Sequence, residues 1–240
     1  MRLPFPVHIA REIPNPFPTA DLKVVAVGQD GCEYALKRLL DHPDLPASEW
    51  FCYHLGYKIQ LALPPFAEMT DGTTQSFGSR FEGGVKQWAD YSPTEQYPLL
   101  NLCGKEMSRI LALDMFVGND DRHLNNFLFR NQKIAGATIV FAMDFSRGLF
   151  VQGWPRDFCP MRSDTNSMMT LALLKSLGIW GQAAAKLTLA SIQSVSALEI
   201  EAWLLEMPVS WVQRSRIAEV KAWWSSAELN QRLSICDRLV

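Results

Sequence analysis

Several features that would point to a function by themselves are missing from this sequence. No block of Lys or Arg occurs in a chain of 240 residues with a formal net charge of -2, which argues against a duplex nucleic-acid binder and a polybasic membrane anchor. The five cysteines are scattered and form no CxxC pair, so the pattern predicts neither a zinc site nor a redox dithiol. We interpret them as reduced, mostly buried thiols.

Long apolar runs are also missing. The first residues, MRLPFPVHIAREIPNPF, contain no apolar core of signal-peptide length, and no later run is long enough for a membrane span. The apolar content of 48% is nevertheless sufficient for a sizeable core. These observations predict a globular, cytoplasmic protein that forms one large domain or two small lobes.

The first third of the chain predicts a small sheet with one helix. Five prolines within the first eighteen residues predict an extended start, and we expect the ordered fold to begin near Asp21. The segment LKVVAVGQDGCEYALKRLL predicts two strands joined by an Asp-Gly turn. ASEWFCYHLGYKIQLAL predicts a helix with Ser48 as its N-cap. A second Asp-Gly turn follows, and Gly83-Gly84 marks the boundary between two lobes.

The remainder of the chain is mainly helical in pattern. YPLLNLCGKEMSRILALDMF places apolar residues along one helix face, and FLFRNQKIAGATIVFAMDF predicts two short strands. Helical patterns from Thr170 onward place the tryptophans at spacings typical of core packing. The sequence therefore predicts an α+β fold of two lobes. Residues 1–84 form a small β-rich N-lobe, and residues 85–240 form a larger, mainly helical C-lobe.

A polar cluster, GNDDRHLNNFLF, lies between the predicted helix and the predicted hairpin. Asp121 and Asn126 belong to its loop, and Asp144 ends the second strand of the hairpin. Phosphoryl transfer needs a carboxylate that orients the attacking hydroxyl and oxygen ligands that hold magnesium against the triphosphate. These three residues supply both. The alternative is a helix-capping loop with an unrelated strand-end aspartate, because Asp and Asn favour caps and turns.

The cluster also resembles a known family. GNDDRHLNNFLF followed by FAMDF resembles the catalytic and metal-binding segments of HipA-like kinases, and its D-R-H-x-x-N order is similar to that of phosphoinositide 3- and 4-kinases. Upstream, EYALK resembles the strand that bears the nucleotide-binding lysine. ASEWFCYHLGYKIQLALPPF resembles the N-E-x…L-G…L-x-L-P segment of small HipA-like kinases. The resemblance spans residues 24–150 and implies the two-lobed protein-kinase-like fold.

The resemblance implies a role for each matching residue and implies ATP and Mg²⁺ as cofactors. Asp121 would be the catalytic base, Asn126 and Asp144 the magnesium ligands, and His123 a brace for the loop. Lys37 would contact the nucleotide phosphates and pair with Glu49. The adenine would be held by the backbone of four residues, namely Arg80, Phe81, Glu82 and Gly83.

Other interpretations of single residues stay open at this point. Lys37 also fits a solvated position at a strand end, and Glu49 fits a first-turn acid that the helix dipole stabilises. We expect Asp114 to accept hydrogen bonds from the backbone of the catalytic loop, because a buried carboxylate needs partners. Arg122 either contacts a substrate or phosphate, or neutralises Asp120.

Two departures from kinase patterns are present. No G-x-G-x-x-G precedes the lysine, and the preceding segment offers only Thr19 and backbone amides to phosphates. The metal motif is DFSRG instead of D-F-G, as in atypical kinases. The resemblance implies transfer of the γ-phosphate of ATP to Ser or Thr of a protein. From the charge and hydropathy patterns we expect no direct nucleic-acid binding and no membrane span, and no particular partner protein is indicated. A lipid or small-molecule kinase, and a nucleotide-binding pseudokinase that acts as an interaction module, are the alternatives.

Overall fold

Five strands form a closed barrel in the first part of the fold. The computed structural model describes residues 1–15, 22–132, 137–156 and 161–240. The barrel strands are β1 (Val7–Pro14), β2 (Val24–Gly28), β3 (Glu33–Lys37), β4 (Phe66–Thr70) and β5 (Gln75–Arg80). Their spatial order is β1-β2-β3-β5-β4. The pairs are antiparallel except for the parallel contact of β1 with β4, which closes the barrel.

The alternation of side chains along β3 decides which residues leave the barrel. Tyr34 and Leu36 are buried in the small apolar cluster inside it. Because successive strand residues face opposite sides, Ala35 and Lys37 project from the outer face. The turn before β3 contains Gly31 at a φ of 78°, a conformation that suits glycine in a tight hairpin. The predicted hairpin is confirmed.

The expectation that the ordered fold begins near Asp21 is wrong. β1 lies upstream of that position and pairs with both β2 and β4. Within the described part of the proline-rich start, Val7–Pro14 is an extended strand. Pro6 precedes this strand and Pro14 ends it, so neither interrupts the ladder. Thr19 lies outside the described residues.

The helix that crosses beneath the barrel begins earlier than the sequence predicts. Helix α1 (Leu45–Lys58) has Asp44 at its N-cap and a proline in its first turn, where proline is well tolerated. Ser48 is therefore not the N-cap; it is buried within the helix, and its hydroxyl donates to the Gly148 carbonyl at 2.9 Å. No acidic residue lies in the first turn. The dipole interpretation of Glu49 is therefore wrong.

The second part of the chain is mainly helical. The long helix α2 (Pro93–Val117) is followed by a two-stranded antiparallel sheet of β6 (Phe127–Gln132) and β7 (Ala137–Ala142). Within the described residues the α-helices that follow are α3 (Asn166–Ser176), α4 (Gln182–Gln193), α5 (Ala197–Leu205), α6 (Arg214–Trp224) and α7 (Ala227–Leu239). In the described parts of the chain, no helix combines the length and apolar character needed to span a bilayer.

A single large apolar cluster connects the two parts of the fold. It contains residues of α1, α2 and the C-terminal helices, and it includes Trp211, Trp223 and Trp224, so the prediction of core packing for these tryptophans is confirmed. The α+β class and the two-lobed arrangement are also confirmed. The division after residue 84 stays a prediction, and the apolar core crosses it.

Candidate active site

A cavity of about 350 Å³ lies between β3, α1, the polar loop and the end of β7. Its walls contain the following predicted site residues: Lys37, Glu49, Asp121, His123, Asn126 and Asp144. The structure therefore brings these side chains together, from segments that are far apart in sequence.

The segment that was predicted to hold adenine lies beside the cavity. Ser79 and Gln87 line the cavity on either side of it in sequence, whereas Arg80, Phe81, Glu82 and Gly83 are not among the lining residues that the structure describes. The amide of Phe81 donates to the Glu33 carbonyl at 2.9 Å. The Glu82 carboxylate accepts from Arg80 and Arg130. The role of this backbone segment stays a prediction.

Lys37 lies at the centre of a buried ionic network. Its Nζ donates to Asp144 Oδ1 at 2.9 Å and to Ser146 Oγ at 2.6 Å, and it lies 3.7 Å from Glu49 Oε1. Only 5% of its side chain is exposed, so the alternative of a solvated strand-end lysine is wrong. A buried ammonium requires opposite charges and hydrogen-bond acceptors. Asp144 and Glu49 provide carboxylates, and the Ser146 hydroxyl provides a neutral acceptor.

Glu49 anchors the segment that follows β7. Its Oε1 accepts from the Phe145 amide at 3.0 Å and from the Ser146 hydroxyl at 3.1 Å. Burial raises the pKa of Glu49 to about 7, against the opposing attraction of Lys37. The carboxylate thus joins α1 to the metal-motif segment through hydrogen bonds, in addition to its ion pair with the lysine.

Asp144 is the more exposed of the two acids of this network that line the cavity. Its side chain is 26% exposed, compared with 1% for Glu49. Burial opposes its ionisation, but Lys37, the Ser146 hydroxyl and Arg122 together hold the pKa of Asp144 below its ordinary value. Its backbone has a φ of 60°, an unfavourable conformation for a non-glycine residue that often occurs at functional sites. The carboxylate is therefore charged and accessible to a ligand.

The polar loop begins where helix α2 ends. Gly118 caps α2 in the left-handed conformation with a φ of 75°, and this reverses the chain into the loop. The Asp121 carbonyl accepts from the His123 amide at 3.0 Å and from Asn126 Nδ2 at 2.9 Å. Because the amide nitrogen of Asn126 is used in this way, its side-chain oxygen is the atom suited to bind a cation.

Arg122 has a different role from either predicted alternative. Its side chain is fully buried and makes a two-pronged contact with Asp114, with distances of 2.8 and 2.9 Å. It also donates to the carbonyls of Asn126, at 2.8 Å, and of Met143. The side chain of Arg122 therefore offers no accessible surface to a substrate, and among the described contacts its counter-charge is Asp114 and not Asp120. It joins the end of α2 to the loop and to the hairpin.

The partners of the Asp114 carboxylate also differ from the expectation. Its carboxylate accepts from the side chains of Arg122 and Asn119, at 2.8 Å for the latter, instead of from the loop backbone. The reason is that the buried guanidinium needs a counter-charge. Asp114 thus acts on the loop through these two side chains.

Some residues at the site were missed by sequence reasoning. Tyr53 lines the cavity and lies one helical turn beyond Glu49, a spacing that places both on the same face. Ser146 occupies, in DFSRG, the position of the glycine in D-F-G. This difference from the kinase pattern was a signal in the sequence that could have identified it. Asn166 donates to Asp121 Oδ1 at 2.5 Å. No local pattern marks Asn166, because the contact depends on where α3 begins.

The donor set at the site fits a magnesium–nucleotide complex. Magnesium is usually held by one or two protein oxygen ligands together with substrate phosphates, and Asp144 and Asn126 supply a carboxylate and an amide oxygen at one cavity. Within the described residues, no group of three or more His, Cys, Asp or Glu side chains is arranged to hold a metal ion.

Comparisons with known proteins agree with this geometry at the level of the fold. The proinflammatory kinase CtkA of Helicobacter pylori is similar in structure, with a TM-score of 0.58, 9% sequence identity and 98% of each chain covered. HipA of Shewanella oneidensis MR-1, solved with HipB and operator DNA, has a TM-score of 0.52 and 12% identity, with 90% of this chain covered. The chain spans 57% of that HipA. No protein-family model matches the sequence, and no curated protein matches it either. The chain therefore shares its fold with these two proteins.

Proposed function

We propose that this protein is a kinase that transfers the γ-phosphate of ATP to a hydroxyl group, with Ser or Thr of a protein as the acceptor. The observation that carries the proposal is the buried contact of Lys37 with Glu49 and Asp144 at the same cavity as Asp121 and Asn126. Fold similarity to kinases supports it.

The cavity offers both parts of a nucleotide site. Leu22, Ala35 and Met143 contribute apolar surface, which suits a planar base, and Lys37 contributes a positive charge for phosphates. Ligand sites commonly combine an apolar lining with a few placed polar groups. In this proposal the backbone of residues 80–83 contacts the base from the side of β5.

Asn126 and Asp144 would hold Mg²⁺ when the nucleotide is bound. The ion would supply positive charge against the phosphate oxygens. The left-handed backbone of Asp144 and the hydrogen bond from Asn126 to the Asp121 carbonyl hold both ligands in place, so little reorganisation of the protein is needed.

Asp121 would act on the acceptor. The acceptor oxygen forms a bond to the γ-phosphorus while the bond from that phosphorus to the bridging oxygen breaks, and ADP leaves with the electron pair. The hydroxyl proton passes to the Asp121 carboxylate. The products are ADP and a phosphate monoester, so the atoms and charges balance.

The test combines nucleotide binding with transfer. Wild type, Asp121→Ala and Asp144→Ala are incubated with labelled ATP and Mg²⁺, in the presence of casein or of phosphatidylinositol liposomes, and phosphate is located by mass spectrometry. We expect Mg-ATP to raise the melting temperature of wild type and Asp121→Ala, and Asp144→Ala to lose the magnesium-dependent part. Asp121→Ala should transfer phosphate at least about 100-fold more slowly.

Asp237→Ala is the matched control, because Asp237 is exposed and paired only with Lys186 at 3.6 Å in the described contacts. It should behave as wild type. Mg-ATP binding without transfer to any acceptor would contradict the kinase and favour the pseudokinase. Transfer to liposomes but not to casein or to the chain itself would contradict a protein acceptor.

A further inference from the structure

The first residue of helix α3 touches the proposed catalytic base directly. Asn166 Nδ2 donates to Asp121 Oδ1 at 2.5 Å. Asn166 is not needed as the helix cap, because Thr165 is the N-cap and its side chain accepts from the Met168 amide. The side chain of Asn166 is therefore available for a role at Asp121.

Two other side chains in the first two turns of α3 form hydrogen bonds with the backbone of the polar loop. Ser167 Oγ accepts from the Arg122 amide at 2.8 Å and donates to the Asn119 carbonyl at 2.5 Å. Thr170 Oγ1 donates to the Arg122 carbonyl at 2.8 Å. These two side chains are buried and determine where the loop lies. Only Asn166, of the side chains described here, is bonded to the base carboxylate itself.

Asp121 lines two cavities. Besides the cavity with Lys37, it lines a second one of about 310 Å³, whose other lining residues are Asp120, Arg147, Asp164, Thr165 and Asn166. A nucleotide in the first cavity leaves the second as the side from which an acceptor hydroxyl reaches Asp121. Asn166 forms part of that acceptor-side wall.

We propose that Asn166 is a positioning residue for phosphoryl transfer: it holds Oδ1 of Asp121, so that the other carboxylate oxygen faces the acceptor hydroxyl and takes its proton. This inference rests on the proposed function. The χ2 torsion of an aspartate is intrinsically broad, and the hydrogen bond restricts it to one orientation. Catalytic geometry that is wrong by about 1 Å can cost on the order of 100-fold in rate.

The decisive variant is Asn166→Asp, which has nearly the same shape. Its carboxylate cannot donate to Asp121 and repels it. A negative charge in the first turn of α3 is stabilised by the helix dipole, so a role of Asn166 confined to the start of the helix predicts unchanged stability and unchanged transfer. The positioning role predicts a kcat lower by about 10- to 100-fold, with the Kd for Mg-ATP within about twofold and the melting temperature retained. Asn166→Ala, which removes the donor without adding charge, should also lower kcat.

The measured rate is the release of labelled γ-phosphate from ATP to casein, to the chain itself or to water. Asn230→Asp is the matched control, since Asn230 lies near the start of α7, is exposed, and contacts Gln193 through its carbonyl oxygen. It should retain the wild-type rate.

The outcomes separate the inference from the function on which it rests. Wild-type transfer with equal transfer by Asn166→Asp overturns the inference and leaves the kinase standing. A lower rate that accompanies a lower melting temperature in both Asn166 variants also overturns it, because it shows a structural role. Absence of transfer by wild type overturns the kinase, and the inference falls with it.

Discussion

At the scale of single residues, the chemistry of the site depends on buried charges that have partners. Glu49 is the clearest case, because its carboxylate is 1% exposed and lies 3.7 Å from the Lys37 ammonium. Burial raises its pKa from an ordinary 4.5 to about 7. The folded protein therefore retains a proton at Glu49 over a pH range in which the unfolded chain has released it.

This difference predicts a pH dependence of stability. Below pH 4.5 Glu49 is protonated in both the folded and the unfolded state. Between pH 4.5 and about 7 the unfolded chain releases this proton while the folded protein retains it. The free energy of unfolding therefore falls as the pH rises through this window. Glu49→Gln is neutral throughout. Relative to wild type it should therefore gain about 1 to 3 kcal/mol between pH 5 and pH 8, as measured by chemical denaturation at both pH values.

Glu228→Gln provides the comparison for that experiment, since Glu228 is exposed at the start of α7. Its stability relative to wild type should be the same at both pH values. If the stability of Glu49→Gln relative to wild type were also the same at both pH values, Lys37 would keep the buried carboxylate ionised at pH 5. That result would contradict the prediction.

At the scale of secondary-structure elements, β1 completes the sheet that carries Lys37. It pairs with β2 along most of its length and with β4 at its start. Removing it would expose the edges of two neighbouring strands and open the barrel core around Tyr34 and Met69. An open edge also leaves backbone hydrogen bonds of the ladder unmade.

Deletion of residues 1–14 should therefore destabilise the barrel and abolish Mg-ATP binding. We expect the melting temperature to fall by roughly 10 °C or more, since each kcal/mol corresponds to about 2 to 4 °C for a chain of this size. Thermal unfolding with and without Mg-ATP measures both effects. Phe5→Ser is the control, because Phe5 is 78% exposed and precedes β1. Retained binding by the shortened chain would count against a role for β1.

At the scale of the whole molecule, α1 is packed against the C-terminal helices as well as against the barrel. The Trp50 indole donates to the Trp203 carbonyl at 3.1 Å. The Phe51 ring lies within 6.0 Å of four aromatic rings, those of Phe150, Trp154, Trp203 and Trp224. The helix that carries Glu49 is therefore held by both parts of the fold.

This packing predicts that the two parts unfold together. Phe51→Ala removes a fully buried ring and should lower the free energy of unfolding by about 3 to 5 kcal/mol, within a single cooperative transition. Tryptophan fluorescence reports mainly on the C-terminal part of the chain, because five of the eight tryptophans lie within residues 180–224. This signal and amide exchange of β3 should give the same midpoint. Leu198→Ala, at a side chain that is 69% exposed, should have little effect. Separate midpoints for the two probes would contradict the prediction.

Local sequence patterns were sufficient for the elements that local interactions determine. The Asp-Gly turns between strands, the long helix before the polar cluster and the hairpin after it follow from turn chemistry and side-chain periodicity over a few residues. Some of the residues that line the cavity at Lys37 were also recognisable, because D-R-H-x-x-N, the later Asp144 and the strand lysine occur in an order that resembles a known family.

Tertiary structure alone decided what these residues contact. Lys37 and Asp144 are 107 positions apart, and Asn166 and Asp121 are 45 apart, so no pattern over neighbouring residues encodes either contact. The burial of the Arg122 side chain also depends on tertiary packing. A buried guanidinium is stable only when packing brings a carboxylate and carbonyl groups to it. The sequence by itself determined which chemical groups are present and most of the local secondary structure. The packing of distant segments decided which groups contact one another, because a buried charge without a partner is too costly in free energy.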